Sequence, residues 1–288
     1  MTLLVQDEED VLREHLLFHL DRGVDFVIVT DNDSRDGTAD ILEEFRRSGE
    51  IRVIHEPAND YAQRRWVTAM ARMAAAEHSA DWVINSDADE FWWPSDGDLK
   101  SVLARVRSRY TQVAVPRYNF VPVATTGGNP LSRMVVRERS SVNVFGKPLP
   151  PKICHRADPD VTVEQGNHIV RGGSTRRYPR QLPIEILHFP MRSFEQYRNR
   201  VVRGGQAYER NEEVPRAFGA HWRTLYERFK EGSLPEYWAE EVYDAGAIDR
   251  GVEEGRLVVD RRLADALPAL VRRLNHQMAE ERRSRPPA

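Results

Sequence analysis

Short apolar runs alternate with stretches of helical periodicity through the first half of the chain. Leu3 to Val5 reads as a strand, and Leu12, Leu16, Leu17 and Leu20 then recur at helical spacing until Gly23 stops the helix. Phe26 to Val29 predicts a second strand, followed by the polar segment Asp31 to Thr38. Ile41, Leu42 and Phe45 mark a second helix closed by Gly49, and Ile51 to Ile54 a third strand. A longer helix is expected from Tyr61 to His78, with Val67, Met70, Ala71 and Ala74 inward. A fourth strand, Trp82 to Asn85, then runs into Ser86-Asp87-Ala88-Asp89-Glu90-Phe91. This rhythm predicts an α/β fold with an open, mostly parallel sheet and right-handed crossover helices. In such sheets ligands bind beyond the carboxyl ends of the strands, where both polar segments lie.

Past a Thr-, Gly- and Pro-rich loop from Ala124 to Pro130 the rhythm is lost. Met134 to Arg137, Val161 to Val163 and Ile184 to Leu187 predict short strands, and from Ser193 onward the pattern is helical. Breaks are expected at Gly204-Gly205, Pro215, Gly232 and Pro235, with the last ten residues frayed. The expected organisation is a domain over 1–205, divided into 1–123 and 124–205, and a helical carboxyl-terminal extension over 206–288. No internal repeat is visible.

Composition narrows the function classes. The chain has 288 residues, 42 basic and 45 acidic, for a formal net charge of -3. No global field therefore favours nucleic acid or an anionic membrane, so any anion site must be local. Cys154 is the single cysteine, which excludes an internal disulfide and a cysteine zinc cluster and fits a packed thiol in a reducing compartment. The start of the chain passes from Thr2-Leu3-Leu4-Val5 into the acidic run Asp7 to Asp10 without a signal-peptide pattern. No segment approaches the roughly 20 apolar residues of a membrane helix. The cytoplasm is the expected location, with peripheral membrane contact left open.

Asp87 and Asp89 supply the chemistry. Two carboxylates one residue apart at the mouth of a buried strand offer hard oxygen ligands to a divalent cation and leave positions open for phosphate oxygens. An isolated acid-X-acid triplet more often caps a turn. Here it ends a hydrophobic strand central to a βαβ succession, with Glu90 and the aromatic cluster Phe91, Trp92 and Trp93 beside it.

The chain resembles the family-two-like glycosyltransferases of GT-A fold on four motifs, over roughly residues 1 to 205. Val5-Gln6-Asp7-Glu8-Glu9 is similar to the family's first strand and turn, with Asp7 where Asn is more usual. The segment from Gly23-Val24-Asp25 to Asp31-Asn32-Asp33-Ser34-Arg35-Asp36-Gly37-Thr38 resembles its nucleotide-binding turn. Asp87-Ala88-Asp89-Glu90-Phe91 matches its metal motif. Ile186 to Phe194 resembles the histidine-bearing strand and helix start.

The resemblance implies an inverting transfer from a nucleotide-diphosphate sugar, UDP-, dTDP- or GDP-linked, to a glycan or small-molecule acceptor hydroxyl, assisted by Mn²⁺ or Mg²⁺. It assigns 1–123 to the nucleotide and 124–205 to the acceptor. Asp89 is the first expected metal ligand and His188 a further one. Asp87 takes either the same ion or the ribose hydroxyls. Asp7, Glu9, Asp31, Asn32 and Asp33 are candidate nucleotide contacts, since an acid can accept from a pyrimidine N–H and Asn can also donate. Lys152, His168 and Arg192 are further donor-site candidates. Gly37 is read as supplying backbone freedom and Thr38 as capping the next helix. Glu90 and Glu164 are the candidate bases for the acceptor hydroxyl.

Other readings stay beside these. Arg171, Arg176, Arg177 and Arg180 could grip a diphosphate or form a solvated basic loop. Trp222, Tyr226, Phe229, Tyr237, Trp238 and Tyr243 could stack on sugars or be core. A metal-dependent phosphohydrolase and a non-catalytic nucleotide- or glycan-binding module of the same fold are the alternative functions. A dinucleotide oxidoreductase lacks support, because Asp7-Glu8-Glu9 stands where a glycine fingerprint would follow the first strand.

Overall fold

The computed structural model describes residues 1–58, 62–124, 127–142, 146–173, 175–210 and 220–284. In chain order the first half runs β1 (Thr2–Val5), α1 (Leu12–Asp21), β2 (Val27–Asp31), α2 (Thr38–Ser48), β3 (Ile51–His55), α3 (Gln63–Ala76), β4 (Trp82–Asp87), β5 (Glu90–Pro94), α4 (Leu99–Ala104), β6 (Gln112–Val115), β7 (Arg117–Asn119) and α5 (Pro130–Arg133). The second half runs β8 (Val136–Glu138), β9 (Lys152–Arg156), β10 (Thr162–Val163), β11 (Val170–Arg171), β12 (Ile184–His188), α6 (Phe194–Arg210), α7 (Ala220–Lys230), α8 (Leu234–Glu241), α9 (Ala245–Glu253), β13 (Leu257–Val259) and α10 (Arg262–Ser284).

The main sheet has the order β3-β2-β1-β4-β9-β6. Its first four strands are parallel, and β9 is antiparallel to both neighbours. The alternation of a strand sends Val27 and Val29 to one face, with α1, α2 and α4, and Ile28 to the other, with Val67, Met70, Ala71 and Ala74 of α3. This is the expected α/β class, a mostly parallel sheet between helices with a helical carboxyl-terminal region. Gly23 and Gly49, with φ of 90° and 86°, end α1 and α2 in the left-handed conformation anticipated for them.

The second, three-stranded sheet decides where the site sits. Its order is β5-β12-β7, with His188 opposite Glu90 on one side and Asn119 on the other. The chain therefore leaves the main sheet at Asp87, crosses Ala88 and Asp89, and enters the second sheet at Glu90. Ala88 is small enough to be buried at this junction, and the Phe189 amide donates to the Asp89 carbonyl at 2.8 Å.

Several local expectations are corrected. No break occurs at Gly204-Gly205, because α6 runs through both residues. Gly205 allows close helix packing instead, as a Cβ there would lie 2.2 Å from the Tyr226 ring. Pro235 does not break a helix either but occupies the first turn of α8, where its missing N–H is not needed. Gly232 does lie between α7 and α8. Pro215, Tyr61 and part of the Ala124–Pro130 loop lie outside the described residues.

The carboxyl-terminal part also holds a strand, β13, which pairs with β8, while Leu263, Leu267 and Leu270 of α10 join the main core. Cys154 is fully buried and burial pushes its thiol up to about 12, as suits a packed, unreactive sulfur.

Candidate functional site

A cleft opens at the carboxyl ends of β1, β2 and β4. Its lining includes Asp7, Glu8, Asn32, Asp87, Asp89, Lys152, His168, Arg200, Arg203 and Trp222. The floor is the turn between the two sheets. Asp87 accepts from Lys152 Nζ at 2.5 Å and from Asn167 Nδ2 at 3.2 Å. Lys152 lies 3.1 Å from Glu90 Oε1, and Arg117 donates to the same oxygen at 3.1 Å. Burial alone would lower Lys152 and raise Asp87. Asp87 and Glu90 outweigh burial at the lysine and raise it, and Lys152 outweighs it at Asp87 and lowers that carboxyl.

Asp89 is buried, with Arg200 Nη1 at 3.1 Å, His188 Nε2 at 3.6 Å and Arg192 Nη1 at 3.8 Å from Oδ2. Burial opposes its charge, but His188, Arg200 and Arg192 together hold the carboxyl well below the usual range. His188 Nδ1 donates to Asn119 Oδ1 at 2.7 Å, so in its neutral form the ring keeps its proton there and turns an Nε2 lone pair toward Asp89. Burial lowers the His188 pKa from the ordinary histidine value, against the pull of Asp89. A carboxylate oxygen and an imidazole lone pair that face each other fit a divalent cation. Among the described residues no three His, Cys, Asp or Glu side chains converge into a protein-only cage.

The other expected residues divide. Asp7 and Asn32 line the cleft, and Asp33 stands at its rim with the side chain 41% exposed. Asn32 donates to the Glu56 and Ala58 carbonyls and accepts from Gln6 Nε2. Asp31 does not line the cleft. It is buried, accepts from the Ser34 amide at 3.2 Å and shapes the turn. Glu9 likewise turns away, accepting from the Gly37 amide at 2.6 Å.

Gly37 itself has φ of -72°, which any residue adopts. A Cβ there would lie 2.6 Å from Glu9 Oε2, the mobile end of an exposed side chain, and would displace it from the Gly37 amide. Thr38 is not a cap. Its buried hydroxyl accepts from the Glu8 amide at 2.9 Å, while Asp36 takes the Thr38 amide at 2.9 Å.

Arg192 is buried and engaged by Asp10 Oδ2 at 2.7 Å, Asp10 Oδ1 at 2.9 Å, Glu8 at 2.5 Å and the Phe189 carbonyl at 3.1 Å. It ties the loop after β1 to the start of α6. Burial nonetheless pushes Glu8 up to about 7 against the pull of Arg192. His168 lines the cleft, bonded through Nδ1 to the Pro151 carbonyl at 2.9 Å, and burial with Lys152 nearby brings it down to about 4.

Neither candidate base lines the cleft. Glu90 has no exposed surface, and Glu164 is outside the cleft lining, held by Arg64 and Arg171 at 3.0 Å each. Arg171, Arg176, Arg177 and Arg180 are exposed and away from the cleft. Of the carboxyl-terminal aromatics, Trp222 lines the cleft, while Tyr226, Tyr237 and Trp238 pack around Leu225 and Leu234. Tyr243 packs with Val121 and Leu257, and Phe229 is exposed.

The residues that sequence reasoning missed are Arg117, Asn167, Gln196, Asn199, Arg200 and Arg203. The last four were legible as a polar stripe at three- and four-residue spacing beside buried Tyr197 and Val201.

The family model described as "Glycosyl transferase family 2" matches residues 5–208. S. aureus TarS 1-349 in complex with UDP is 12% identical with a TM-score of 0.42, covering 80% of this chain and 69% of that one. The mannosyltransferase PcManGT from Pyrobaculum calidifontis in complex with GDP-Man and Mn²⁺ is 14% identical with a TM-score of 0.38, covering 95% and 79%. A search of curated proteins found no match.

Proposed function

Because the chain belongs to glycosyl transferase family 2 and is a glycosyltransferase, we propose that its cleft binds a nucleoside diphosphate sugar and passes the sugar to an acceptor hydroxyl, with a divalent cation on Asp89 and His188. The observation that carries this reading is the facing pair itself, Asp89 Oδ2 and His188 Nε2 at 3.6 Å on the turn between the two sheets. A Mn²⁺ or Mg²⁺ ion bound there would offset the charge that develops on the leaving diphosphate.

The chain's own residues have separate tasks. Lys152 holds Asp87 at the cleft floor, beside the ion or the ribose hydroxyls. Asp7, Asn32 and Asp33 form the nucleoside end, where loops from neighbouring parallel strands converge. We assign Glu90 to positioning: enclosed beneath Lys152 and Arg117, it fixes both cations and does not meet the acceptor. Trp222 and Tyr208 wall the side from which an acceptor, glycan or small molecule, would approach. No helix among the described residues is long and apolar enough to cross a membrane, and a cytoplasmic setting belongs to this proposal.

Titration calorimetry with UDP, GDP and dTDP tests the reading. At least one of them is expected to bind with Mn²⁺ present and to be released by chelator. Asp89→Asn is expected to abolish that binding and sugar transfer while leaving the circular dichroism unchanged. Undiminished binding in chelator, or turnover surviving in the variant, refutes the assignment.

A further inference from the structure

The polar face of α6 sets two arginines nearly one helical turn apart over the acids of the cleft. Arg203 is the more enclosed, with its side chain 12% exposed. Its Nη1 donates to Asp7 Oδ2 at 2.5 Å and its Nη2 to the Asp33 carbonyl at 2.6 Å and carboxylate at 3.3 Å. Asp7 and Asp33 both have φ of 55°, a left-handed conformation that persists where surrounding contacts over-determine it. Arg203 therefore pins the loops after β1 and β2 to α6.

Arg200 is held differently. Its side chain is 36% exposed, its Nη1 donates to Asp89 Oδ2 at 3.1 Å and to the Pro190 carbonyl at 3.2 Å, and its guanidinium lies 5.3 Å from the Trp222 ring centre.

Asp89 Oδ2 is thus the acceptor for Arg200 and also the oxygen that faces His188. A divalent cation and a guanidinium crowded onto one carboxylate oxygen would repel each other. We propose that Arg200 is the exchange residue of the donor site: it yields Asp89 to the cation and turns onto the diphosphate oxygens that enter with it, while Arg203 remains the anchor. This rests on the donor reading above. A planar guanidinium suits phosphate oxygens as well as carboxylate, so the exchange replaces one charge-assisted contact by another. The Trp222 face attracts the cation without fixing its hydrogen bonds, which lets the group turn without losing its support. The cleft also has a volume of about 250 Å³ with Arg200 on Asp89, whereas ligand pockets commonly span ~300–1,000 Å³. Turning Arg200 widens the cleft where the diphosphate must lie.

Arg200→Gln and Arg203→Gln in the full chain test this by calorimetry, first with Mn²⁺ alone and then with UDP, GDP or dTDP at saturating Mn²⁺. For Arg200→Gln we expect Mn²⁺ alone to bind about tenfold more tightly and the nucleotide about tenfold more weakly, the scale of one charge-assisted hydrogen bond. Arg203→Gln is expected to weaken the nucleotide without tightening Mn²⁺, because Arg200 still holds Asp89. Arg200→Lys, which keeps the charge without the fork, should fall between parent and Arg200→Gln. Parallel changes in both affinities, or none, in Arg200→Gln would overturn the exchange. A parent protein that binds no nucleotide with Mn²⁺ would instead sink the donor reading on which it rests.

Discussion

Lys152→Met removes an ammonium from beneath the acidic turn while keeping an unbranched stem. Lys152 is 1% exposed, lies 2.5 Å from Asp87 Oδ2 and 3.1 Å from Glu90 Oε1, and Glu90 has no exposure at all. Glu90 Oε2 already lacks a hydrogen-bond partner, so loss of Lys152 leaves Arg117 to support a carboxylate out of reach of water. Methionine fills the volume of the stem, and no cavity term enters. Stranding one member of a buried ion pair costs ~3–5 kcal/mol, and the retained Arg117 places this variant near ~3 kcal/mol. With ~2.1 cal/mol/K of unfolding entropy per residue over 288 residues, the midpoint should fall by about 5 °C.

The sign of the pH dependence follows from the shifts. Lys152 is raised, so its contribution is whole below the ordinary lysine value and fades only as pH rises through the folded one. Asp87 is lowered, so its share is whole above the ordinary aspartate value and fades as pH falls through the folded one. The gap between parent and variant should therefore be constant around neutrality and narrow below about pH 4. Urea unfolding, followed by circular dichroism and tryptophan fluorescence, measures it. Glu90→Gln added to Lys152→Met should restore ~1 kcal/mol or more relative to additivity, because no carboxylate is then stranded. A loss under ~1 kcal/mol for the single variant, or strict additivity in the pair, refutes the view that Lys152 and Glu90 form one buried charge unit.

Two further outcomes follow from the same geometry. Gly37→Ala should cost ~1 kcal/mol in unfolding free energy through loss of the Gly37–Glu9 hydrogen bond, and nothing more once Glu9→Ala has removed the partner; additive losses would point to another cause. Burial holds His15 at about 3 and His19 also well below its usual value, so both must stay neutral in the fold but protonate on unfolding. Stability should therefore drop as pH falls from 6.5 to 5, by ~2 kcal/mol for His15 alone. Denaturant melts of His15→Asn should show a shallower slope over that window, and an unchanged slope would contradict the assignment.

The order of strands and helices from β1 to β4, the class of sheet and the position of Asp87 and Asp89 at its carboxyl edge could all be read from the chain. They rest on local periodicity, which survives in one dimension because each strand or helix sorts its own apolar face. Even there β2 extends to Asp31 and β4 to Asp87, past the last apolar residue in each case. Polar residues continue a ladder whenever a neighbour supplies the hydrogen bonds. The strands β6, β7 and β9 escaped notice, and with them the burial of Glu90, which follows from its place opposite His188 in the second sheet.

Only the folded chain decided which charge meets which. Asn167 reaches Asp87 across 80 positions, Arg200 reaches Asp89 across 111, and Arg203 reaches Asp7 across 196. The glycine pair in α6 was misread for the same reason: whether such a pair ends a helix or admits a neighbouring ring depends on what packs against it. Periodicity records how a segment partitions between core and water. The pairing of buried charges depends on distances that exist only after the sheets have closed, and no local pattern encodes them.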